Sequence, residues 1–326
     1  MMDPRLASEL TTHEISDEEF LEAAYRNILR RPSDDDARER ALTRLAEGTL
    51  SRATLVHDLA TSEESVRVRE LDDAVALGLG ARTRRERIRW LQAPAGTDER
   101  VVEIPWVLSR LREAGRVLEV GYAFAETAYL GGLLRSGVEL VGVDLATRDV
   151  DGMETVEADV RALPFPDRSF DQVLLVSTLE HIGADNTVYG LAAESDGDAR
   201  VEALRELRRV LRVDGDLLVT VPLGEPADHG WFRQEDERGW TELFARADFF
   251  VEEIEAYELR PDGWRAAPSF RADGVRYGER GPAASAVLCA DLSPGRLRHL
   301  ATPGGLRKAT RRRAARTYRR VRPYDL

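Results

Sequence analysis

The 326-residue sequence has a single cysteine, which excludes an internal disulfide. Cys289 lies in the apolar run SAVLCADL, so we expect a buried structural thiol in a reducing cytoplasm rather than a nucleophile. No apolar stretch approaches the ~18 residues that a membrane span requires. The opening MMDPRLASELTTHEISDEE lacks the basic and apolar regions of a signal peptide, so secretion is not expected.

Basic residues are scarce relative to acids except in the C-terminal segment. The net charge is −12, yet residues 293–326 carry eleven Arg or Lys and one Asp, about +10, which leaves about −22 on the rest. An acidic body repels nucleic acid, so no specific nucleic-acid partner is expected. The basic tail would attract an anionic membrane surface, an acidic glycan or a nucleic acid, and a solvated, disordered end is the alternative. We therefore expect a cytoplasmic protein, with peripheral attachment at the inner membrane face as an option.

The N-terminal part has helical periodicity. After a disordered start over 1–15, Ser16 and Glu19 form a capping-box pattern, and three short helices follow in a domain over 16–70. The stretch from FLEAAYRNILRRPSDDD to LATSEE resembles a small helical domain of unknown function that recurs in bacterial surface-glycan enzymes and calcium-binding repeat proteins. A helical connector is predicted over 71–97.

Strands and helices alternate after about residue 98, and this pattern predicts an α/β domain over 98–292, followed by the basic tail over 293–326. We expect a Rossmann-like, doubly wound, mainly parallel seven-stranded sheet with helices on both faces. The predicted strands are RVLEV, VELVGV, METVEA, FDQVLLV, DLLVTV, FFVEEIEAY and SAVLCADL. Ligands of such sheets bind beyond the carboxyl ends of the strands, where the strand order reverses.

The segment VLEVGYAFAET, residues 117–127, has few of the glycines that a pyrophosphate-binding loop needs. Only Gly121 is present, and Phe124 and Glu126 would place bulk and negative charge beside a phosphate. A dinucleotide is therefore disfavoured, whereas a cofactor with an uncharged ribose and an amino-acid end needs only small residues such as Ala123 and Ala125. An ordinary strand-to-helix turn is the alternative.

Two acids follow later strands. Asp144 ends the second strand, where a carboxylate can accept both hydroxyls of a ribose, although a solvated cap is the alternative. Asp159 precedes the apolar turn LPFP and could accept the exocyclic amine of adenine while Leu163 and Phe165 cover the ring edges. A turn-initiating Asp is the alternative there.

Four motifs in order, VLEVG, VGVDLA, EADVRALPFPDRSFDQVLLVSTLEHIG and LRELRRVLRVDGDLLVTVP, resemble those of class I S-adenosylmethionine-dependent methyltransferases over about residues 101–292. The resemblance implies S-adenosyl-L-methionine as cofactor, and the family's usual glycines fall on Ala123 and Ala125. The residues that it implies for cofactor binding are Glu119, Gly121, Tyr122 and Ala123 near the methionine portion, Asp144 and Leu145 at the ribose, Asp159 and Val160 beside the adenine, and Ser177 and Thr178 after the fourth strand.

His181, in STLEHIG, is the candidate general base. Methyl transfer from a sulfonium is an in-line displacement, so a base is needed only to remove the acceptor's proton, and a neutral imidazole suits this near pH 7. Glu180 would orient His181 or anchor the loop. A purely structural role of the Glu-His pair is the alternative.

Acceptor contacts are predicted in the loops after the fourth and fifth strands. The candidates are Asp185 and Tyr189 in DNTVYG, and His229 and Trp231 in ADHGWFRQEDERGW. Aromatic rings with carboxylates suit a sugar, and a packed lid is the alternative. His229 and Asp228 lack a third ligand at a fixed spacing, so no metal is predicted.

Together these features lead to the hypothesis of a methyltransferase that acts on a hydroxyl, or alternatively an amine, of a sugar in a bacterial cell-surface glycan or its precursor. The glycan part is an analogy drawn from the helical domain. A non-catalytic scaffold or binding protein in glycan assembly, with a degenerate methyltransferase fold, is the alternative.

Overall fold

A computed structural model describes residues 15–191, 196–281 and 283–295. The chain divides into two compact units, 1–73 and 74–326. Nearly all of the N-terminal segment predicted to be disordered, and the basic part of the predicted tail, lie outside the described residues.

The first unit contains helices α1 (Asp17–Ile28), α2 (Asp35–Ala46) and α3 (Arg52–Thr61). The capping box is present: the Glu19 backbone N–H donates to Ser16 Oγ, and the Ser16 backbone N–H donates to the Glu19 carboxylate at 2.9 Å. Apolar side chains at helical spacing form a small core of their own, which includes Phe20, Leu21, Ala24, Leu55 and Val56.

Helix α4 (Glu63–Thr83) runs across the division between the two units. The second unit adds helices α5 (Arg100–Leu108), α6 (Thr127–Arg135), α7 (Ala199–Val210) and α8 (Glu237–Arg246). Among the described residues no helix is long and apolar enough to cross a membrane.

The central sheet has the order β1-β10-β9-β11-β6-β5-β2-β3-β4. Its strands are β1 (Gln92–Ala93), β2 (Arg116–Val120), β3 (Glu139–Asp144), β4 (Glu154–Glu157), β5 (Phe170–Val176), β6 (Leu211–Pro222), β9 (Phe250–Arg260), β10 (Gly263–Ala266) and β11 (Ala286–Ser293). A separate ribbon pairs β7 (Ala227–Asp228) with β8 (Arg233–Gln234). The strands β6, β5, β2, β3 and β4 pair in parallel, and the chain changes direction across the sheet at β2.

The predicted α/β fold with a mainly parallel sheet is confirmed, but the strand count was too low. All seven predicted strands are present, and β1 and β10 extend the edge beyond β9 by antiparallel pairing. These strands have two and four residues, too few for an alternating pattern to stand out. Strand β1 also means that the predicted connector over 71–97 is not wholly helical.

The core of the second unit lies on both faces of the sheet. Strand β11 is buried along its whole length between β9 and β6, and Cys289 within it is fully buried, as predicted. Burial raises the pKa of this thiol well above its usual value, which disfavours the reactive thiolate.

Candidate cofactor and acceptor site

A cleft of about 340 Å³ opens at the carboxyl ends of β2, β3 and β5. This is where the strand order reverses and where ligands of open α/β sheets bind. Ten of the predicted site residues line it: Glu119, Gly121, Asp144, Leu145, Asp159, Val160, Ser177, Thr178, His181 and Tyr189.

The turn after β2 depends on Gly121, whose φ of 87° lies in the left-handed region. A Cβ atom there would lie 2.5 Å from Thr178 Oγ1, so any side chain would collide with the next wall of the cleft. The following residues form a 3-10 turn, and Ala125 has a φ of −68°. The alanines therefore need no backbone conformation that only glycine adopts. Arg148 also holds this turn by donating to the Ala125 carbonyl at 2.9 Å.

Asp144 is placed to accept hydrogen bonds from a ligand. Its Oδ2 accepts from the Ala123 backbone N–H at 3.1 Å and its Oδ1 from that of Ala146 at 3.2 Å. Burial raises the pKa of this carboxyl, while the backbone donors act in the opposite direction. The contacts fix the carboxylate at the end of β3 with lone pairs available to a diol.

Glu119 forms part of the cleft wall and is almost completely buried. Its carboxyl accepts from Tyr129 Oη at 3.0 Å, and burial raises its pKa well above the usual value. A cationic group that reached this carboxyl would relieve the cost of burying its charge. The methionine end of S-adenosylmethionine carries an ammonium, so a buried acid, a carboxylate at the diol position and a glycine turn together fit this cofactor.

Asp159 differs in one respect from the expectation. Its carboxylate already accepts hydrogen bonds from Arg161, at 2.8 Å from the backbone N–H and at 2.5–3.0 Å from the guanidinium. This pairing lowers the pKa of Asp159. Leu163 and Phe165 do not reach the cleft, because both pack into the core. The apolar residues available to contact a ring are instead those on the cleft wall, namely Leu145, Ala158, Val160 and Ile182.

His181 lies where the cleft meets the acceptor loops. Its Nδ1 lies 2.9 Å from the Trp231 carbonyl, which can only accept, so Nδ1 carries the proton and Nε2 carries the lone pair. Burial lowers the pKa of this imidazole. The ring is therefore a neutral base with its basic nitrogen directed away from Trp231.

A group of buried acids lies beside His181. Arg100 binds Glu99 and lies 3.9 Å from Glu103, whose carboxyl accepts from Ser177 Oγ at 2.8 Å. Ser177 has a φ of 44°, an uncommon conformation that aims its hydroxyl at this acid. Burial raises the pKa of Glu103 to about 7 and that of Glu180 to about 8.

Aromatic rings surround the mouth of the cleft. Tyr189 lies 4.9 Å from Phe124 and 5.5 Å from His181 between ring centroids, and His181 lies 5.2 Å from Trp231. Phe124 is 53% exposed and therefore stands at the rim rather than filling the cleft. Such a rim suits a ring-shaped acceptor.

Two more predicted residues, Glu180 and Trp231, line a smaller cavity of about 50 Å³ beside the cleft, and four predicted residues line neither space. Tyr122 is fully buried beneath the turn, where a Cβ on Gly142 would collide with its ring, and Ala123 contributes only its backbone N–H to Asp144. Asp185 accepts from the Thr187 backbone N–H at 3.0 Å, and His229 stacks on Phe232 at 4.4 Å. The described residues contain no group of three or more His, Cys, Asp or Glu side chains that could hold a metal ion.

Several functional residues were not predicted. Arg100, Tyr129 and Tyr277 line the cleft or the cavity beside it and come from helices or loops outside the four motifs. Glu103, which accepts from Ser177 Oγ, also lies outside the motifs. One signal was present for Glu103: it interrupts the apolar run of α5, where an unpaired acid would be costly.

Comparisons with known proteins agree with this geometry. Residues 118–219 match the family model described as a methyltransferase domain, and residues 3–68 match a domain of unknown function, DUF4214. The predicted class of cofactor, S-adenosylmethionine, is thereby confirmed for the domain.

The relatives with curated descriptions are named ubiquinone/menaquinone biosynthesis C-methyltransferase UbiE. That of Xanthomonas axonopodis pv. citri is 31% identical over 159 residues, 48% of this chain and 56% of that protein. That of Hahella chejuensis is 31% identical over 118 residues, 36% of this chain and 41% of that protein. The chain thus spans about half the length of these relatives.

Solved structures show weaker likeness. A 1,6-didemethyltoxoflavin-N1-methyltransferase of Burkholderia thailandensis is 18% identical, with 81% of this chain and 92% of that chain covered at a TM-score of 0.41. A methyltransferase of Methanosarcina mazei is 14% identical, with 58% and 96% covered at a TM-score of 0.40. From the sheet order, the cleft and the family match, the chain contains a class I S-adenosylmethionine-dependent methyltransferase domain, and an N-terminal domain of unknown function precedes it.

Proposed function

We propose that this protein transfers the methyl group of S-adenosylmethionine to a hydroxyl of a sugar in a bacterial cell-surface glycan or its precursor. One observation carries the proposal: a single cleft joins the Asp144 carboxylate to a neutral His181 whose Nε2 is unprotonated, amid aromatic rings. The first feature suits a ribose, and the second suits a hydroxyl that must lose its proton.

The chain's own residues divide the work. When bound, S-adenosylmethionine supplies an electrophilic methyl group. Glu119 would hold the methionine end and Asp144 the ribose of the cofactor, while Tyr189 and Trp231 would position the acceptor ring. As the acceptor oxygen bonds to the methyl carbon and the carbon–sulfur bond breaks, S-adenosylhomocysteine would leave and His181 Nε2 would accept the hydroxyl proton. Because in-line displacement depends on alignment, positioning provides much of the rate and the base contributes the remainder.

Cofactor binding is tested by calorimetry with S-adenosylhomocysteine. Asp144→Ala removes the acceptor of the two ribose hydroxyls, so we expect affinity to fall about 10- to 100-fold. Asp149→Ala is the matched control, because Asp149 is an exposed acid on the same loop. The methyltransferase proposal would be wrong if the wild-type protein produced no binding heat at about millimolar ligand.

Acceptor class is tested by transfer of label from methyl-labelled S-adenosylmethionine to sugar nucleotides, surface polysaccharide and quinols. The sugar proposal predicts alkali-stable methyl ethers in the first two. It fails if none of the carbohydrates takes up label.

A ring carbon is the second candidate acceptor, because the relatives at 31% identity are named C-methyltransferases. Label on a quinol carbon would favour this reading. The scaffold alternative predicts that a glycan-methylation phenotype survives Asp144→Ala in cells.

A further inference from the structure

A second cavity of about 50 Å³ adjoins the cleft and shares Arg100, Ser177, His181 and Tyr189 with it. Its volume exceeds the ~10–15 Å³ that one water needs, so it can admit a small polar substituent. Its lining combines polar side chains with aromatic rings, and the remaining members include Glu99, Glu180, Trp231, Phe232 and Tyr277.

Glu180 lines this cavity, and one oxygen of its buried carboxyl is unsatisfied. Its side chain is 5% exposed, and Oε2 has no hydrogen-bond partner in the structure. The other oxygen, Oε1, lies 3.9 Å from His181 Nε2, too far for a hydrogen bond. A buried carboxyl oxygen without a partner is costly, so a ligand that satisfies it gains affinity.

The charges around the cavity exclude anions. Of the residues that line the cavity, Arg100 is the one with a permanent positive charge, and Glu99 already binds it. Glu103, which does not line the cavity, lies 3.9 Å from the same guanidinium. A carboxylate or phosphate that entered would lose its hydration and would find the Arg100 guanidinium already paired with Glu99.

The titratable groups define which charge state Glu180 presents. Burial raises its pKa to about 8 and that of Tyr277 to about 12, and it also raises the pKa of Glu99 and Tyr189. Burial lowers the pKa of His181, and Arg100 stays charged. Glu103 therefore changes charge near neutral pH and Glu180 near pH 8, and below about pH 8 Glu180 can donate a hydrogen bond.

We propose that this side cavity is the acceptor subsite and takes an uncharged hydroxyl of a ring-shaped acceptor, with Glu180 Oε2–H as donor to its oxygen and Trp231 and Tyr277 against the ring. The inference rests on the proposed function and narrows its substrate to acceptors in which the group that enters the side cavity is uncharged. Glu180 is a binding residue, distinct from the base.

The test uses three matched probes: phenyl β-D-glucoside, which is uncharged, the cationic phenyl glucosaminide and the anionic phenyl glucuronide. Binding to the full chain saturated with S-adenosylhomocysteine is measured by calorimetry at neutral pH and at about pH 9. We expect the uncharged probe to bind at least about tenfold more tightly than the anion, and to weaken above about pH 8, where Glu180 loses its proton.

Substitutions of Glu180 distinguish its role as a hydrogen-bond donor from its contribution to the shape of the cavity. Glu180→Ala should weaken binding of the uncharged probe by about tenfold, whereas Glu180→Gln keeps an N–H donor and should remove the loss above about pH 8. Glu202→Gln, on the exposed face of α7, should reproduce the wild-type pH profile. Thermal unfolding of each variant shows whether it is folded.

Two results overturn the subsite. One is tightest binding of the cationic probe together with its loss in Glu180→Gln, which would mean that Glu180 acts as a carboxylate. The other is that no probe binds although S-adenosylhomocysteine does. Failure of S-adenosylhomocysteine itself to bind would overturn the proposed function, and the subsite with it.

Discussion

At the scale of single residues, the absence of a side chain at Gly121 lets the turn after β2 approach Thr178 on the neighbouring cleft wall. Thr178 Oγ1 donates to the Val120 and Val176 carbonyls at 3.2 and 2.9 Å, so it cannot move away from a new side chain without losing both contacts. The glycine therefore serves two purposes, a left-handed φ and a close approach.

Gly121→Ala is expected to destabilise the fold by about 1–3 kcal/mol more than Gly137→Ala. Gly137 has a similar φ of 80°, but no atom lies within 4 Å of the position that a Cβ would take. Its substitution therefore costs only the strain of a left-handed backbone. Denaturant unfolding measures both. Adding Thr178→Ala should recover part of the loss; equal destabilisation by the two glycine changes would contradict the collision.

His181 predicts a pH dependence. Its pKa is lowered by burial, and the neutral form is the base, so activity should rise with pH through a value below 6.5 and be level at neutral pH. His181→Gln should lower kcat/KM by about 10²- to 10⁴-fold and remove this acid limb. The profile is measured with the acceptor found by label transfer.

A purely structural His181 would give a different outcome: loss of stability with an unchanged acid limb in the residual activity. His57→Gln is the matched control, because His57 is exposed on α3 and belongs to the other unit. Its profile should match that of the wild type.

At the scale of elements, the sequence predicts the strands that have a clear apolar pattern and the sheet edge to which their parallel order brings their ends. The apolar strands β2, β3 and β5 stand out, and their parallel order brings Gly121 and Asp144 to one edge of the sheet. The edge strands β1 and β10 are too short to show a pattern, so their pairing follows from tertiary contacts alone.

Side-chain direction within the site could not be predicted in the same way. The 3-10 turn directs the Tyr122 ring inward against Gly142. Its position in the sequence, just after Gly121, instead predicts a side chain in the cleft. The Arg100 cluster depends on how α5 packs against the rest of the domain, and spacing along the chain does not determine that packing.

An ion-pair network joins the segments after α4 and α5 to the antiparallel half of the sheet. The buried Arg110 guanidinium lies 3.1 Å from Glu253 and 3.0 Å from Glu255, and Arg87 lies 2.7 Å from Glu253. Burial acts to raise the pKa of Glu253, but the guanidiniums of Arg110 and Arg87 outweigh it and lower this pKa to about 2.

This network predicts acid sensitivity. Because the folded-state pKa is below the ordinary value, Glu253 contributes stability above about pH 4.5 and loses it as pH falls towards about 2. Glu253→Gln should lower the free energy of unfolding near pH 7 by on the order of 3 kcal/mol and flatten its fall in acid. Glu242→Gln, in the exposed pair with Arg238, should cost less than about 1 kcal/mol. An unchanged acid slope in Glu253→Gln would contradict this assignment.

At the scale of the whole molecule, the charge distribution separates an acidic body from a basic tail. We propose that the tail binds an anionic surface, because about +10 lies within 34 residues while the rest carries about −22. Each Arg or Lys near such a surface contributes about 1 kcal/mol, and salt screens the attraction.

The full chain should therefore sediment with phosphatidylserine vesicles at low ionic strength and be released at about 0.5 M salt. A variant whose tail has Gln in place of each Arg and Lys keeps the length and removes the charge, so it should stay in the supernatant while binding S-adenosylhomocysteine as tightly as the wild type. Equal sedimentation of both proteins, or equal binding to uncharged phosphatidylcholine vesicles, would show that the tail charge does not direct the protein to membranes.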